Sequence, residues 1–134
     1  MEVVLILLII LKTLKVEGVT AYPPGFLEKL ASDRVGQRVT VQEVFDYASK
    51  MTATYRKDGY LLSRVVVPKQ DIDGGNVLLR AVEGYIDDVV VEGVSSDLEK
   101  IIKGYLNKVI EARPLSMGIL ERYLLLAGDS PGLT

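Results

Sequence analysis

Chemistry in this chain has to come from carboxylates, lysines, arginines and tyrosines, because its 134 residues include no Cys, no His and no Trp. That excludes zinc sites of Cys and His, disulfides, thiol nucleophiles and any Ser-His or Cys-His pair. Proton transfer near neutral pH would need an Asp, Glu, Lys or Tyr with a strongly shifted pKa. Asp71 and Asp73, followed by Gly74, begin with the spacing of a calcium loop. Such a loop goes on to a third ligand, a turn glycine and a bidentate Glu, but Gly75, Asn76 and Val82 stand at those positions. The stretch reads instead as a hairpin loop. Gly74-Gly75 precedes a strand pattern and not a helix, so it offers no cradle for phosphate. Asp87 and Asp88 are neighbours, and on an extended chain neighbouring side chains point to opposite faces. Tyr55 and Tyr60 flank a helix end, where packing is the expected use. No acid, base and nucleophile come together, so the expectation is a protein that is not an enzyme and holds no metal or cofactor.

Charge narrows the partners. Lys plus Arg total 16 against 18 Asp plus Glu, for a net charge of −2 and a pI near 5.2. That is not the basic field of a nucleic-acid binder. Hydrophobic residues make up 49% and the mean hydropathy is +0.25, so a folded core is expected and not a disordered chain.

The elements that position these residues follow from an internal repeat. Leu14-Lys15-Val16-Glu17-Gly18-Val19-Thr20 returns 75 residues later as Val89-Val90-Val91-Glu92-Gly93-Val94-Ser95. Leu27-Glu28-Lys29-Leu30 is answered by Leu98-Glu99-Lys100-Ile101, and Val39-Thr40-Val41 by Leu115-Ser116-Met117. Each unit opens with a strand running into Glu-Gly. A first helix follows. In unit one it is short, with Pro23 and Pro24 at its mouth and Phe26, Leu27 and Leu30 as its apolar side. In unit two Ser96 and Glu99 have capping-box spacing, and Leu98, Ile101, Ile102, Tyr105, Leu106 and Val109 form one stripe up to Pro114.

The second helix of unit one starts at Thr40 with Glu43 completing a capping box, keeps Val41, Val44, Phe45, Ala48, Met51 and Tyr55 on one face, and ends at Asp58-Gly59. Its counterpart begins near Ser116 and carries Leu120, Tyr123, Leu124 and Leu126. Unit one then adds strands over 61–67 and 76–83, whereas unit two stops at Thr134 without them. The expected fold class is α+β. It comprises a β-α-α-β-β unit, whose three-stranded mixed sheet is packed by two helices, and an incomplete β-α-α unit. The expected division is residues 1–10, 11–84 and 85–134, in a fragment of a longer protein. Residues 3–11 are nine consecutive aliphatics. As a helix they would span about 14 Å of a roughly 30 Å bilayer core. They are expected to form a buried strand, its composition suiting one covered on both faces, or an ordered extension packed on the core, or else to be the remnant of a signal sequence.

Pro68 closes the Val65-Val66-Val67 run, and proline cannot donate to a central ladder, which puts this strand at the sheet edge with 76–83 between it and the first strand. An open edge can accept an extended peptide. Lys50, Arg56, Lys57, Arg64 and Lys69 gather near it. They read first as solvated surface, and second as a positive rim that would steer an acidic or extended polypeptide.

At these residues the sequence resembles the POTRA (polypeptide-transport-associated) domains of two-partner secretion transporters of the haemolysin-activator type. The resemblance is carried by Tyr55-Arg56-Lys57-Asp58-Gly59-Tyr60 and by Val65-Val66-Val67-Pro68-Lys69-Gln70-Asp71-Ile72-Asp73-Gly74-Gly75. It continues in Val82-Glu83-Gly84-Tyr85-Ile86, Val91-Glu92-Gly93, Leu120-Glu121-Arg122-Tyr123-Leu124-Leu125-Leu126 and Asp129-Ser130-Pro131-Gly132. It departs at Ala127-Gly128, where the family tends to carry leucine and asparagine. The resemblance implies a module on the periplasmic side of the bacterial outer membrane. Such a module receives the N-terminal secretion domain of an unfolded exoprotein and hands it to a C-terminal transmembrane β-barrel. The residues expected to hold that polypeptide by β-augmentation are Arg64, Val65, Val66, Val67, Lys69 and Gln70. An alternative is a POTRA-like scaffold module of outer-membrane protein assembly or cell division. The apolar helix faces of the second unit are expected to favour self-association.

Overall fold

The alternations Leu14-x-Val16 and Val77-x-Leu79-x-Ala81 become neighbouring strands in a computed structural model of the protein, which describes residues 3–72 and 74–128. Asp73 and the Asp129-Ser130-Pro131-Gly132 motif lie outside the described residues, as do Glu2 and Thr134. In chain order the elements are β1 (Leu8–Ile10), β2 (Thr13–Glu17), a 3-10 helix (Glu28–Arg34), β3 (Arg38–Thr40), α1 (Val41–Lys57), β4 (Arg64–Val66), β5 (Asn76–Val82), α2 (Ser96–Glu111) and α3 (Met117–Gly128).

The main sheet has the order β2-β5-β4. β2 runs parallel to β5 with Val16 opposite Leu79, and β4 runs antiparallel to it with Val65 opposite Ala81. The mixed α+β architecture is thus the one expected, with β5 central and β4 at an edge. One face of the sheet carries Val16, Val65, Val77, Leu79 and Ala81, all buried beneath the 3-10 helix and α1. The other face is open, and on it Arg80 and Glu17 form a half-exposed ion pair of 2.7 Å.

Helix α1 is capped as its sequence predicts. The Glu43 N–H donates to Thr40 Oγ1 at 3.0 Å. The reciprocal half of the box is missing, because the Glu43 carboxylate pairs with Arg34 at 3.1 Å instead. Gly59, at φ +90°, supplies the left-handed residue after the helix. Its buried face is Val44, Tyr47, Ala48, Met51 and Tyr55. Phe45, expected on that face, is 49% exposed, and Tyr47 takes its place.

Several expectations are corrected. The first helix of unit one is a 3-10 segment that buries Leu27 and Ala31, while Phe26 and Leu30 stay about two-fifths exposed. Its tighter winding turns Leu30 off the core side. Only 64–66 of the expected strand over 61–67 pairs with β5, since Leu61 and Leu62 are spent on a turn whose Ser63 N–H reaches Tyr60 O at 3.1 Å. The apolar segment at the front is not covered on both faces. Its last residues form β1, which pairs antiparallel with β3; Ile9, Leu11 and Val39 pack on the core, whereas Leu8 and Ile10 are about half exposed and residues 3–7 are 65% or more exposed.

In the second unit, the segment expected as a strand over 89–92 is extended but unpaired. A parallel strand needs a neighbour, and none of the described residues supplies one. The N-cap of α2 is Ser95, one residue before the expected Ser96; its hydroxyl accepts from Leu98 N at 3.3 Å. Glu99 pairs with Lys103 at 3.2 Å. Helices α2 and α3 bury Ile102, Leu106, Val109 and Ala127 with Leu115 between them. Ile101, Tyr105, Leu124 and Leu126, expected on the apolar stripes, are each at least two-fifths exposed.

Candidate polypeptide-binding edge

Six residues were expected at the edge of the sheet, and the structure brings all six to one border. Arg64, Val65 and Val66 form β4, Val67 continues it, and Lys69 follows Pro68 on the wall of an adjoining groove. Gln70 lines the same groove, and its side chain is bonded to the neighbouring strand. Its amide donates to Leu78 O at 2.7 Å and accepts from Leu78 N at 2.8 Å, with a further bond to Pro68 O at 3.1 Å. Pro68 ends the main-chain ladder, and the Gln70 side chain then provides the next rung by copying a peptide group. Its donor and acceptor are therefore both committed to β5.

The edge itself is short. Val65 N–H goes to the Thr52 hydroxyl of α1 at 2.9 Å, so the alternation of an antiparallel ladder assigns the pairing groups of Arg64 and Val66 to β5. Val65 and Val67 then share the outward direction. The border between β4 and α1 holds two hollows. One, of about 230 Å³, lies between Val65 and Ser49, Thr52, Ala53 and Arg56. The other, of about 360 Å³, is apolar and is lined chiefly by Val41, Val44, Phe45, Val67, Ile72 and Val77. The exposed Phe45 is explained here: it belongs to this second hollow and not to the core. Along the border the surface therefore passes from the Arg56 cation, through Ser49 and Thr52, to a hydrophobic end. Of the basic residues, Arg56 and Lys69 line the hollows, and Lys50 sits 5.9 Å from the Tyr47 ring centre.

At the opposite end of β5, Glu83 gathers the loop after β2. Its carboxylate accepts from Thr20 N at 3.0 Å, Ala21 N at 3.1 Å, the Thr20 hydroxyl, and Tyr55 Oη at 2.6 Å. Burial acts to raise the Glu83 pKa, but the Thr20, Tyr55 and Ala21 bonds outweigh it and hold the carboxyl below its usual range. Burial, and then the bond to Glu83, push the Tyr55 phenol far above its usual value. Tyr22 is raised in the same way by burial and by its 2.7 Å bond to Asp58. Tyr22, Phe26, Tyr55 and Tyr60 pack ring to ring at 4.7 to 6.2 Å. Within this cluster the Tyr22 and Tyr55 hydroxyls serve as hydrogen-bond donors to Asp58 and Glu83. Sequence reasoning missed both Thr52 and Glu83. A threonine in mid-helix, where it is disfavoured, was the available signal for the first. A carboxylate between apolar Val82 and Gly84 was the signal for the second.

Comparison with known proteins gives a consistent picture. The Heme/hemopexin transporter protein HuxB of Haemophilus influenzae is 23% identical over 108 residues, which are 80% of this chain and 19% of that protein. The Outer membrane transporter CdiB of Escherichia coli is 25% identical over 107 residues, 78% of this chain and 18% of that protein. The chain thus spans about a fifth of the length of these curated relatives. Among solved structures, CdiB from Escherichia coli superposes with a TM-score of 0.75 at 22% identity, covering 87% of this chain and 21% of that one. The N-terminal domain of Omp85 from Thermosynechococcus elongatus gives 0.66 at 19% identity, covering 87% and 53%. The family described as POTRA domain, ShlB-type, matches residues 9–84, from the end of β1 to the glycine after Glu83. Strand, two helices, a central strand and a proline-closed edge therefore have one common explanation: the chain belongs to the ShlB-type POTRA domain family.

Proposed function

We propose that this chain is the polypeptide-receiving part of a two-partner secretion transporter on the periplasmic side of the outer membrane. It takes the N-terminal secretion domain of an unfolded exoprotein and passes it to a C-terminal transmembrane β-barrel. The observation that carries this reading is the position of β4: an edge strand closed by proline and bordered against α1 by two hollows, a largely apolar one with Lys69 on its wall and a more polar one beside Arg56. An extended client adds main-chain bonds along 64–67, and alternate side chains enter the two hollows. Few outward main-chain groups keep the affinity modest, which suits a client that must move on. The relatives, transporters in both cases and an outer-membrane one in CdiB, support the location and the transport role.

The two-unit division at residue 84 belongs to the same proposal and is supported by the two separate buried clusters. Binding, and not turnover, is the proposed activity. The likeness to Omp85 favours a second reading, a scaffold in outer-membrane protein assembly. Titration of the labelled chain with a cognate secretion-domain peptide separates the two. Amide shifts at 64–67 and in the α1 residues of the groove are expected. Shifts confined to other surfaces would overturn edge binding, and binding of nascent barrel strands in place of the secretion domain would favour assembly.

A further inference from the structure

The border of β4 is not simply open. The Thr52 hydroxyl lies in the groove between α1 and β4 and accepts the Val65 N–H at 2.9 Å. It donates to Ala48 O one turn back at 2.9 Å and lies 3.4 Å from Val65 O. A hydroxyl has one proton, and the shorter contact to Ala48 O takes it. The Val65 donor is therefore closed and the Val65 acceptor is left with the weaker approach. A strand that adds along β4 needs both groups of the outward-facing residue, and Val65 is the one such residue within β4.

We infer that Thr52 is a positioning residue that latches the sheet edge. Its hydroxyl occupies the hydrogen-bonding place of an incoming peptide, and the client must displace it from Val65 to bind. This rests on the reading that β4 is the client edge. Physically the latch has two effects. It satisfies a main-chain donor that would otherwise invite pairing with any exposed strand, including that of a second copy. It also subtracts the bond to Thr52 from the gain of each client bond, which keeps the exchange close to balanced. Only a partner that also fills the neighbouring hollows gains enough to open the edge, so the latch selects for side chains as well as for extended backbone.

The test uses the whole chain, with Thr52→Val, which keeps the β-branched shape and removes the hydroxyl, and Thr52→Ser, which keeps the hydroxyl. The probe is a fluorescently labelled synthetic peptide copying Asn76–Val82, the strand that already pairs antiparallel with β4. In Thr52→Val the Val65 amide is expected to exchange with solvent about tenfold faster and the peptide to bind roughly fivefold tighter, the scale of one neutral hydrogen bond. Thr52→Ser should match the parent on both readouts. Unchanged exchange at Val65 would overturn the latch while leaving edge binding intact. Faster exchange with unchanged peptide affinity would overturn its competition with the client. If no chain binds the peptide and exchange at Val65 still rises, edge binding itself fails, and the latch with it.

Discussion

The two buried clusters each rest on one long helix, α1 of 17 residues and α2 of 16, but reach different depths. Around β5, a sheet, a 3-10 helix and α1 enclose Leu11, Leu27, Val39, Met51, Tyr55 and Leu79, each at 1% exposure or less. Between α2 and α3 the buried residues among those described are Ile102, Leu106, Val109, Leu115 and Ala127, while Leu124 and Leu125 are 51% and 71% exposed. The second region is no less apolar. Among the described residues it has no second layer. An amphipathic helix delivers its stabilisation only against a facing surface, and α2 and α3 have each other and an extended segment where α1 has a sheet.

The largest expected effect tests that difference directly. Leu79→Ala, in the central strand, should destabilise the first cluster by about 3–5 kcal/mol, whereas Leu106→Ala should cost the second about 2 kcal/mol or less. Denaturant titration followed at residue-resolved amides of α1 and of α2 would measure both. Equal losses would mean that the second cluster is as well enclosed as the first.

A middle-sized effect distinguishes the regions by pH. Glu83 has a folded pKa below its ordinary 4.5. Its stabilisation is present above that ordinary value and is lost as the pH falls through the lowered folded value. The first cluster should therefore weaken more than the second as the pH falls below 4.5, and Glu83→Gln should flatten that dependence. At pH 7 the same change should cost about 1–3 kcal/mol, because an amide N–H₂ would face donors from Thr20, Ala21 and Tyr55. Stability curves of parent and variant at a series of pH values check this. A parallel loss in both clusters would place the acid sensitivity elsewhere. The smallest effect is local to the second region: Ser95→Ala should cost about 1 kcal/mol through the lost cap, seen as faster exchange in the first turn of α2 only.

The elements were legible where one periodicity acted alone. Thr40, Glu43 and Gly59 bracket α1 by local hydrogen bonding and backbone conformation, which sequence carries directly. Pro68 placed β4 at the edge because a missing N–H is a property of the residue itself. What sequence could not show is where a face meets its partner. Phe45 and Tyr47 are both large and lie two positions apart, and only the route of β4 decides that Tyr47 is buried and Phe45 lines a groove. The aliphatic run over 3–11 looked buried because its composition suits a covered strand, yet composition does not supply the covering layer. Thr52, and the bonding of Gln70, could not be read because each side chain bonds main chain far along the sequence, 13 and 8 residues away. Hydroxyl and amide side chains do not announce such targets.

The Gln70 contact has a consequence for the tolerance of the hairpin to length changes. A side chain, and not the main chain, provides the rung at Leu78, so the backbone beyond Gln70 is released from the repeat of the sheet. Extra residues placed after Gln70 leave β5 fully partnered, whereas one inserted between Pro68 and Gln70 carries the amide out of reach and strips Leu78 of both its bonds. The same loop thus fixes the residue count before Gln70, and beyond it is held by other contacts, Ile72 against the core and Gly75 O accepting from Lys12 N and Thr13 N.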